Sequence, residues 1–261
     1  MDIGTRSRRC RKGVTVAVEC IHGLDDGLCD ICFPKAVPTV ETKVARPRVP
    51  RASASAPVRR STVNVGEQRI YHVTHVRNLA GILEAGGLLA DANPTVDISS
   101  AENRESRRSA DAAGSAVSSF VPFFLTPNAT LWEDIRLGAA DPRLSPETRE
   151  AVPADFVILV STVKHAAELV AVVADGDAAG SLTRFGATED ASEKMLRRLH
   201  DDEDSIIAAE FLVKDAFPFE LVTLIGVAHD KARDAIKPIL RASAHKPKVA
   251  VYPPWFQRPE G

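Results

Sequence analysis

Between Pro34 and Arg69 the chain has no apolar residues at helical or strand spacing. Its composition there is Pro, Ala, Ser, Arg and Val, as in "RPRVPRASASAPVRR". A segment with no apolar face to bury cannot offset the entropy lost on ordering it. It therefore reads as a flexible basic linker. That reading divides the chain into a front segment, 1–33, a linker, 34–69, and a body, 70–256. Only the body is long enough to build a sizeable core alone.

Within the body, short apolar runs arrive at irregular intervals: "IYHV", "FVPFFL" (120–125), "FVILVS" (156–161), "LVAVVA" (169–174), "AEFLV" (209–213), "LVTLIGVA" (221–228) and "KVAVY" (248–252). Each has the length and β-branched or aromatic content of a strand. "NLAGILEAGG" places Leu79, Ile82 and Leu83 on one helical face, and further helices are expected within 189–200 and 229–242. Strands that outnumber helices without regular alternation favour an α+β body over a doubly wound parallel sheet.

The 261 residues are 44% apolar, and no apolar run approaches the roughly 20 residues that a membrane-spanning helix requires. The basic start "TRSRRCRKGVTVAV" is followed by too short an apolar stretch for a signal peptide. These features predict a soluble, cytoplasmic protein with no membrane partner. The net charge of −2 conceals an asymmetry: residues 1–69 hold 13 Lys and Arg against 7 Asp and Glu, a net of +6. A basic front end on an acidic body suits a segment that finds a polyanion, or simply a solvated basic tail.

All four cysteines, Cys10, Cys20, Cys29 and Cys32, lie in the first 32 residues. "CIHGLDDGLCDIC" gathers Cys20, His22, Cys29 and Cys32, three thiolates and an imidazole. That set suits one tetrahedral structural zinc ion and leaves Cys10 as a spare thiol or an alternative ligand. A cytoplasmic chain seldom keeps disulfides, and the βαβ setting of a redox Cys-x-x-Cys is missing. Nucleic-acid contact, protein contact and stapling of a short segment all remain open for such a knuckle.

Glu210 stands out because it sits in an otherwise core-bound run, "AAEFLV". A buried carboxylate costs several kcal/mol unless something pairs with it, so a partner or a cleft is expected. Two other clusters could help to form one. His72 and His75, with Thr74 between them, end a strand that runs directly into a helix, a junction that exposes backbone donors and side chains together. Arg104, Arg107 and Arg108 fall in "SSAENRESRRS", read as a polar loop that is either a solvated charge run or an anion clamp.

In this order and spacing, "IYHVTH", "ENRESRR", "FVPFFLTP", "ADGDAAGSLTRF" and "AEFLV" resemble the DarT family of DNA ADP-ribosyltransferase toxins over about residues 70–256. The resemblance implies an NAD-binding ADP-ribosyltransferase fold of two facing small sheets. It also implies action on a base in single-stranded DNA, and an antitoxin partner that removes the ADP-ribose or blocks the site. Glu210 matches the catalytic glutamate. The essential arginine falls on Arg104, with Arg107 fitting across a small gap. His72 and Thr74 match residues that hold NAD, and Phe124 could stack on the nicotinamide or pack in the core.

The chain also departs from the family pattern. Asp177 stands where a histidine is usual, Gly186 where a tyrosine is common, and "NATLW" replaces an arginine-containing run. The target base, thymine or guanine, stays open. Lys194 and Arg197, with Arg198, lie in "GATEDASEKMLRRLHDDEDS" and could contact phosphates along with Arg107 and Arg108, or form an ordinary charged helix surface. The same active site could serve RNA or protein as acceptor. A reading from another class is a non-catalytic, zinc-dependent nucleic-acid-binding adaptor.

Overall fold

The computed structural model describes residues 64–258. The proposed zinc ligands Cys20, His22, Cys29 and Cys32 and nearly all of the linker lie outside the described residues. Twelve strands occur in chain order: β1 (Arg69–His75), β2 (Gly87–Leu89), β3 (Asp111–Ala112), β4 (Ser115–Ala116), β5 (Phe120–Phe124), β6 (Phe156–Thr162), β7 (Ala171–Ala174), β8 (Phe185–Gly186), β9 (Glu210–Lys214), β10 (Ala216–Pro218), β11 (Leu224–Val227) and β12 (Lys248–Val251). The helices are α1 (Leu79–Glu84), α2 (Ala101–Ser109), α3 (Thr130–Leu137), α4 (Pro146–Glu150), α5 (Glu189–His200), α6 (Glu203–Ile206) and α7 (Asp230–Arg241). The body is α+β, as expected, and no helix among the described residues is long and apolar enough to cross a membrane.

Eight strands form one sheet in the order β12-β11-β6-β1-β5-β9-β7-β8, with β2/β10 and β3/β4 as separate two-stranded sheets. This corrects the expectation of two facing sheets, because β1 and β5 remain bonded. The join is slight: β1 meets β6 in seven registered pairs but meets β5 only at Tyr71↔Phe124. Pro122 gives the reason. His72 Nδ1–H donates to the Pro122 carbonyl at 2.8 Å, so that carbonyl faces β1, and the missing proline N–H lies on the same side. Four strands on each side of this seam form halves that share little ladder.

β6 explains why a continuous apolar run can be a strand. Phe156–Ser161 are buried throughout, because both faces of the sheet are covered. On one face Ile70, Val157, Leu159, Phe211 and Val213 pack with Leu196 and Leu199 of α5 and Ile236 and Leu240 of α7. On the other, Tyr71, Val73, Ile158 and Val160 pack with Trp132, Ile135, Leu144 and Phe256. Truncating a fully buried leucine such as Leu159 to Ala should cost about 2–5 kcal/mol.

The expected strands and both expected long helices are present with shifted ends. "SSAENRESRRS" is not a loop: residues 101–109 form α2. The Ser100 side chain caps it by accepting from Asn103 N–H, Glu102 lies in its first turn and Arg107 and Arg108 in its last. None of its residues is buried, so it carries no apolar stripe for periodicity to detect.

Candidate active site

Glu210 opens β9 and lies in a row of registered residues, Tyr71↔Phe124↔Glu210↔Ala174, that crosses four strands. Registered neighbours share a face, so Phe124 stands directly beside Glu210 on the sheet surface. Glu210 is only 6% exposed. Its partner is Arg107, whose Nη1 and Nη2 donate to Oε1 and Oε2 at 3.2 and 3.0 Å in a bidentate fork. The Arg107 side chain is 15% exposed. Ala178 N–H adds a third donor to Oε1 at 3.0 Å. With both oxygens held, the carboxylate has one orientation.

Burial works against the Arg107 cation, but the Glu210 charge, its hydrogen bonds and the nearby Asp177 outweigh that and hold its pKa above the ordinary arginine value. The guanidinium therefore stays charged beside Glu210.

Helical geometry separates the three arginines. Arg107 turns toward β9, whereas Arg104 and Arg108, one turn apart, both reach Asp91. Arg104 also donates from Nε to Asp97 and from Nη2 to the Ala92 carbonyl at 2.6 Å. Thus the arginine brought to Glu210 is Arg107, and Arg104 braces the 91–97 segment that precedes α2. Arg108 is exposed on Asp91 and Glu105.

His72 lies half-buried at the β1/β5 seam, its ring 5.6 Å from that of Phe123. Burial lowers its pKa, and the bond to the Pro122 carbonyl only partly offsets this. At neutral pH the ring is neutral, with Nδ1–H committed to Pro122 and Nε2 left as an acceptor. Thr74 is buried, and its Oγ1 accepts from Asn78 Nδ2 at 3.1 Å. Asn78 also exchanges two 2.8 Å bonds with the Val96 backbone, which anchors the segment leading to α2. His75 serves structure: its Nδ1 accepts from Arg77 N–H at 3.2 Å and its ring packs on Phe156.

The turn after β7, residues 175–184, supplies the Ala178 donor. Asp177 Oδ1 accepts from Ala179 N–H at 2.9 Å, and its carbonyl accepts from Gly180 N–H at 2.8 Å. A Cβ on Gly180 would lie 2.9 Å from that carbonyl oxygen, so the turn closes only around glycine. Asp175 binds Arg184 and Arg198 at 2.8 and 2.9 Å; burial alone would raise its pKa, but these bonds leave it lowered.

The remaining candidate DNA-contacting residues lie on α5. Lys194 is exposed, while Arg197 pairs with Glu193 at 2.5 Å, one turn away. Among the described residues no cluster of three or more His, Cys, Asp or Glu could hold a metal ion. Sequence reasoning missed the Ala178 donor to Glu210 and the Asn78 brace on Val96. Backbone donors and long-range polar contacts leave no periodic signal.

Comparison with known proteins identifies the family. The Thermus sp. (strain 2.9) "DNA ADP-ribosyl transferase" is 27% identical over 209 residues, covering 72% of this chain and 95% of the relative. The protein of that description from Mycobacterium tuberculosis (strain ATCC 25618 / H37Rv) is 28% identical over 193 residues, covering 66% and 81%. Among solved structures, Thermus sp. 2.9 DarT in complex with ADP-ribosylated ssDNA superposes with a TM-score of 0.63 at 26% identity, covering 73% of this chain and 96% of that one. The same Thermus protein in complex with NAD+ gives a TM-score of 0.58 at 24% identity, covering 73% and 98%. A family described as "ssDNA thymidine ADP-ribosyltransferase, DarT" matches residues 71–257. The chain belongs to the DarT family of DNA ADP-ribosyltransferases.

Proposed function

We propose that this chain moves ADP-ribose from NAD to a base of single-stranded DNA with Glu210 and Arg107 as its catalytic pair, and that it acts as the toxin of a toxin–antitoxin system. The observation that carries this reading is the bidentate Arg107–Glu210 pair, completed by Ala178 N–H, in a chain of this family. Both relatives named above are DNA ADP-ribosyl transferases, and one solved relative holds ADP-ribosylated single-stranded DNA.

In the reaction, the bond from ribose C1′ to the nicotinamide nitrogen breaks and a bond from C1′ to a base nitrogen forms. Nicotinamide leaves neutral, and the base gives up one proton. Glu210 stabilises the positive charge developing on the ribose and takes that proton. Arg107 holds the Glu210 carboxylate in place until then, and its remaining N–H groups can fork onto the NAD phosphates. His72 Nε2 accepts a hydrogen bond from NAD, and Phe124 covers the ring beside Glu210. A stacked, paired base hides its reactive atoms, so a single-stranded or flipped base is required. A non-catalytic adaptor would gain nothing from a buried ion pair, whose desolvation commonly offsets its attraction.

The test incubates the protein with labelled NAD and single-stranded DNA, duplex DNA, RNA or no acceptor, and locates the label by mass spectrometry. Label on one base of single-stranded DNA is expected, and it identifies thymine or guanine. Label only on RNA or protein would reject DNA as the target.

Two further outcomes are expected. Because His72 stays neutral below the ordinary histidine pKa, the KM for NAD should remain level from pH 8 down through about 6.5 and rise only at lower pH. A rise centred at or above that value would rule out His72 as the acceptor. Removing residues 1–63, which hold the proposed zinc ligands and most of the basic linker, should weaken DNA binding and flatten its salt dependence while NAD hydrolysis persists. Unchanged DNA affinity would show that the front end does not bind DNA.

A further inference from the structure

We propose that Arg143 is a positioning residue for Glu210, acting through Asp177. Arg143 follows α3 in sequence, outside every segment that suggested an active site. Its guanidinium gathers three carboxylates: Asp141 at 2.6 Å, Asp177 at 3.1 Å and Asp134 at 3.3 Å. Asp134 and Asp141 come from the α3 end of the structure and hold the guanidinium in place. Asp177 comes from the turn after β7 and is what the guanidinium holds.

The next residue, Ala178, donates its backbone N–H to Glu210 at 3.0 Å. Fixing Asp177 therefore fixes the donor on the Glu210 carboxylate. The other end of Arg143 performs a matching task. Its carbonyl accepts from Ser100 N–H at 2.8 Å, and Ser100 caps the helix that carries Arg107. One residue thus ties together the supports of both members of the Arg107–Glu210 pair.

The network is strongly polarised. Asp141 is held at a pKa of about 2, chiefly by hydrogen bonding to Arg143, while burial and the neighbouring Asp141 push Asp134 upward. Without Arg143, three acids would face one another with no cation among them. Asp177 would then be free to leave its turn toward Arg107, whose charge it already feels. In this chain the aspartate found where the family pattern has histidine is a tether, and Arg143 is its anchor.

The proposal rests on the transferase reading and is tested by the variants Arg143→Ala, Arg143→Lys and Asp177→Asn, and by Arg143→Ala combined with Asp177→Asn. Steady-state transfer from NAD to single-stranded DNA and thermal melting are measured for each. Arg143→Ala and Asp177→Asn should each lower kcat about tenfold or more, since small misplacements of a catalytic group carry losses of that size. The KM for NAD should stay within about twofold, the double variant should be no slower than the slower single one, and Arg143→Lys should recover part of the rate.

Wild-type kcat in a folded Arg143→Ala protein would overturn the proposal, as would losses that multiply in the double variant. If Arg143→Ala does not fold, Asp177→Asn decides alone, with unchanged kcat the overturning result. Failure of the transferase reading would appear differently, as no transfer to DNA by the wild-type protein.

Discussion

Replacing Glu210 with Gln should lower transfer of ADP-ribose to DNA by about a thousandfold or more while leaving the protein folded. Gln keeps the volume and one oxygen for Ala178 N–H and Arg107, but it loses the charge. The loss removes both the electrostatic stabilisation of the ribose centre and the acceptor for the base proton, each worth about two to four orders of magnitude in rate. Stability should fall less than the roughly 3–5 kcal/mol of a broken buried ion pair, because Arg107 keeps a hydrogen-bonding partner and some solvent contact. Mass spectrometry of single-stranded DNA incubated with NAD, alongside a melting curve, checks both parts. Wild-type transfer by the Gln variant would remove Glu210 from the mechanism.

The second large effect separates two arginines that the sequence could not separate. Arg107→Ala should reduce kcat/KM by about a hundredfold or more, because it removes the cation that forks onto Glu210 and leaves a buried carboxylate unpaired. Arg104→Ala should be the milder change. It releases Asp91 and Asp97 and loosens the approach to α2, acting on Glu210 only at a distance. The two variants, assayed together over a range of NAD concentrations, give the ranking directly. A greater loss in Arg104→Ala than in Arg107→Ala would return the essential role to Arg104, where the family resemblance first placed it.

The family resemblance favours Arg104 by its distance before "FVPFF", and spacing along the chain is its only guide. In a helix, direction matters as well. Residues 104 and 108 lie about 40° apart around the helix axis, and 107 lies about 60° from 104 in the opposite sense. Periodicity does not signal this helix, because α2 buries none of its residues and is started by a serine cap rather than an apolar stripe. The β1/β5 seam was equally invisible, since a proline in "FVPFF" does not say which neighbour will lack its N–H.

The α+β class, the strands at 120–125 and 156–161, the helix at 189–200 and the anomaly of Glu210 are legible in the sequence, because burial periodicity and an acid among apolar residues are local properties. Its motifs in register also carried the family. The tertiary structure alone decided which arginine meets Glu210, that Ala178 supplies a backbone donor, that His75 caps a turn, and that Arg143 reaches Asp177. Each of these depends on where two distant segments come together, as when residues 107 and 210 lie 103 positions apart and meet at 3.0 Å. Such contacts are set by packing of the whole sheet and its helices, which no local pattern encodes.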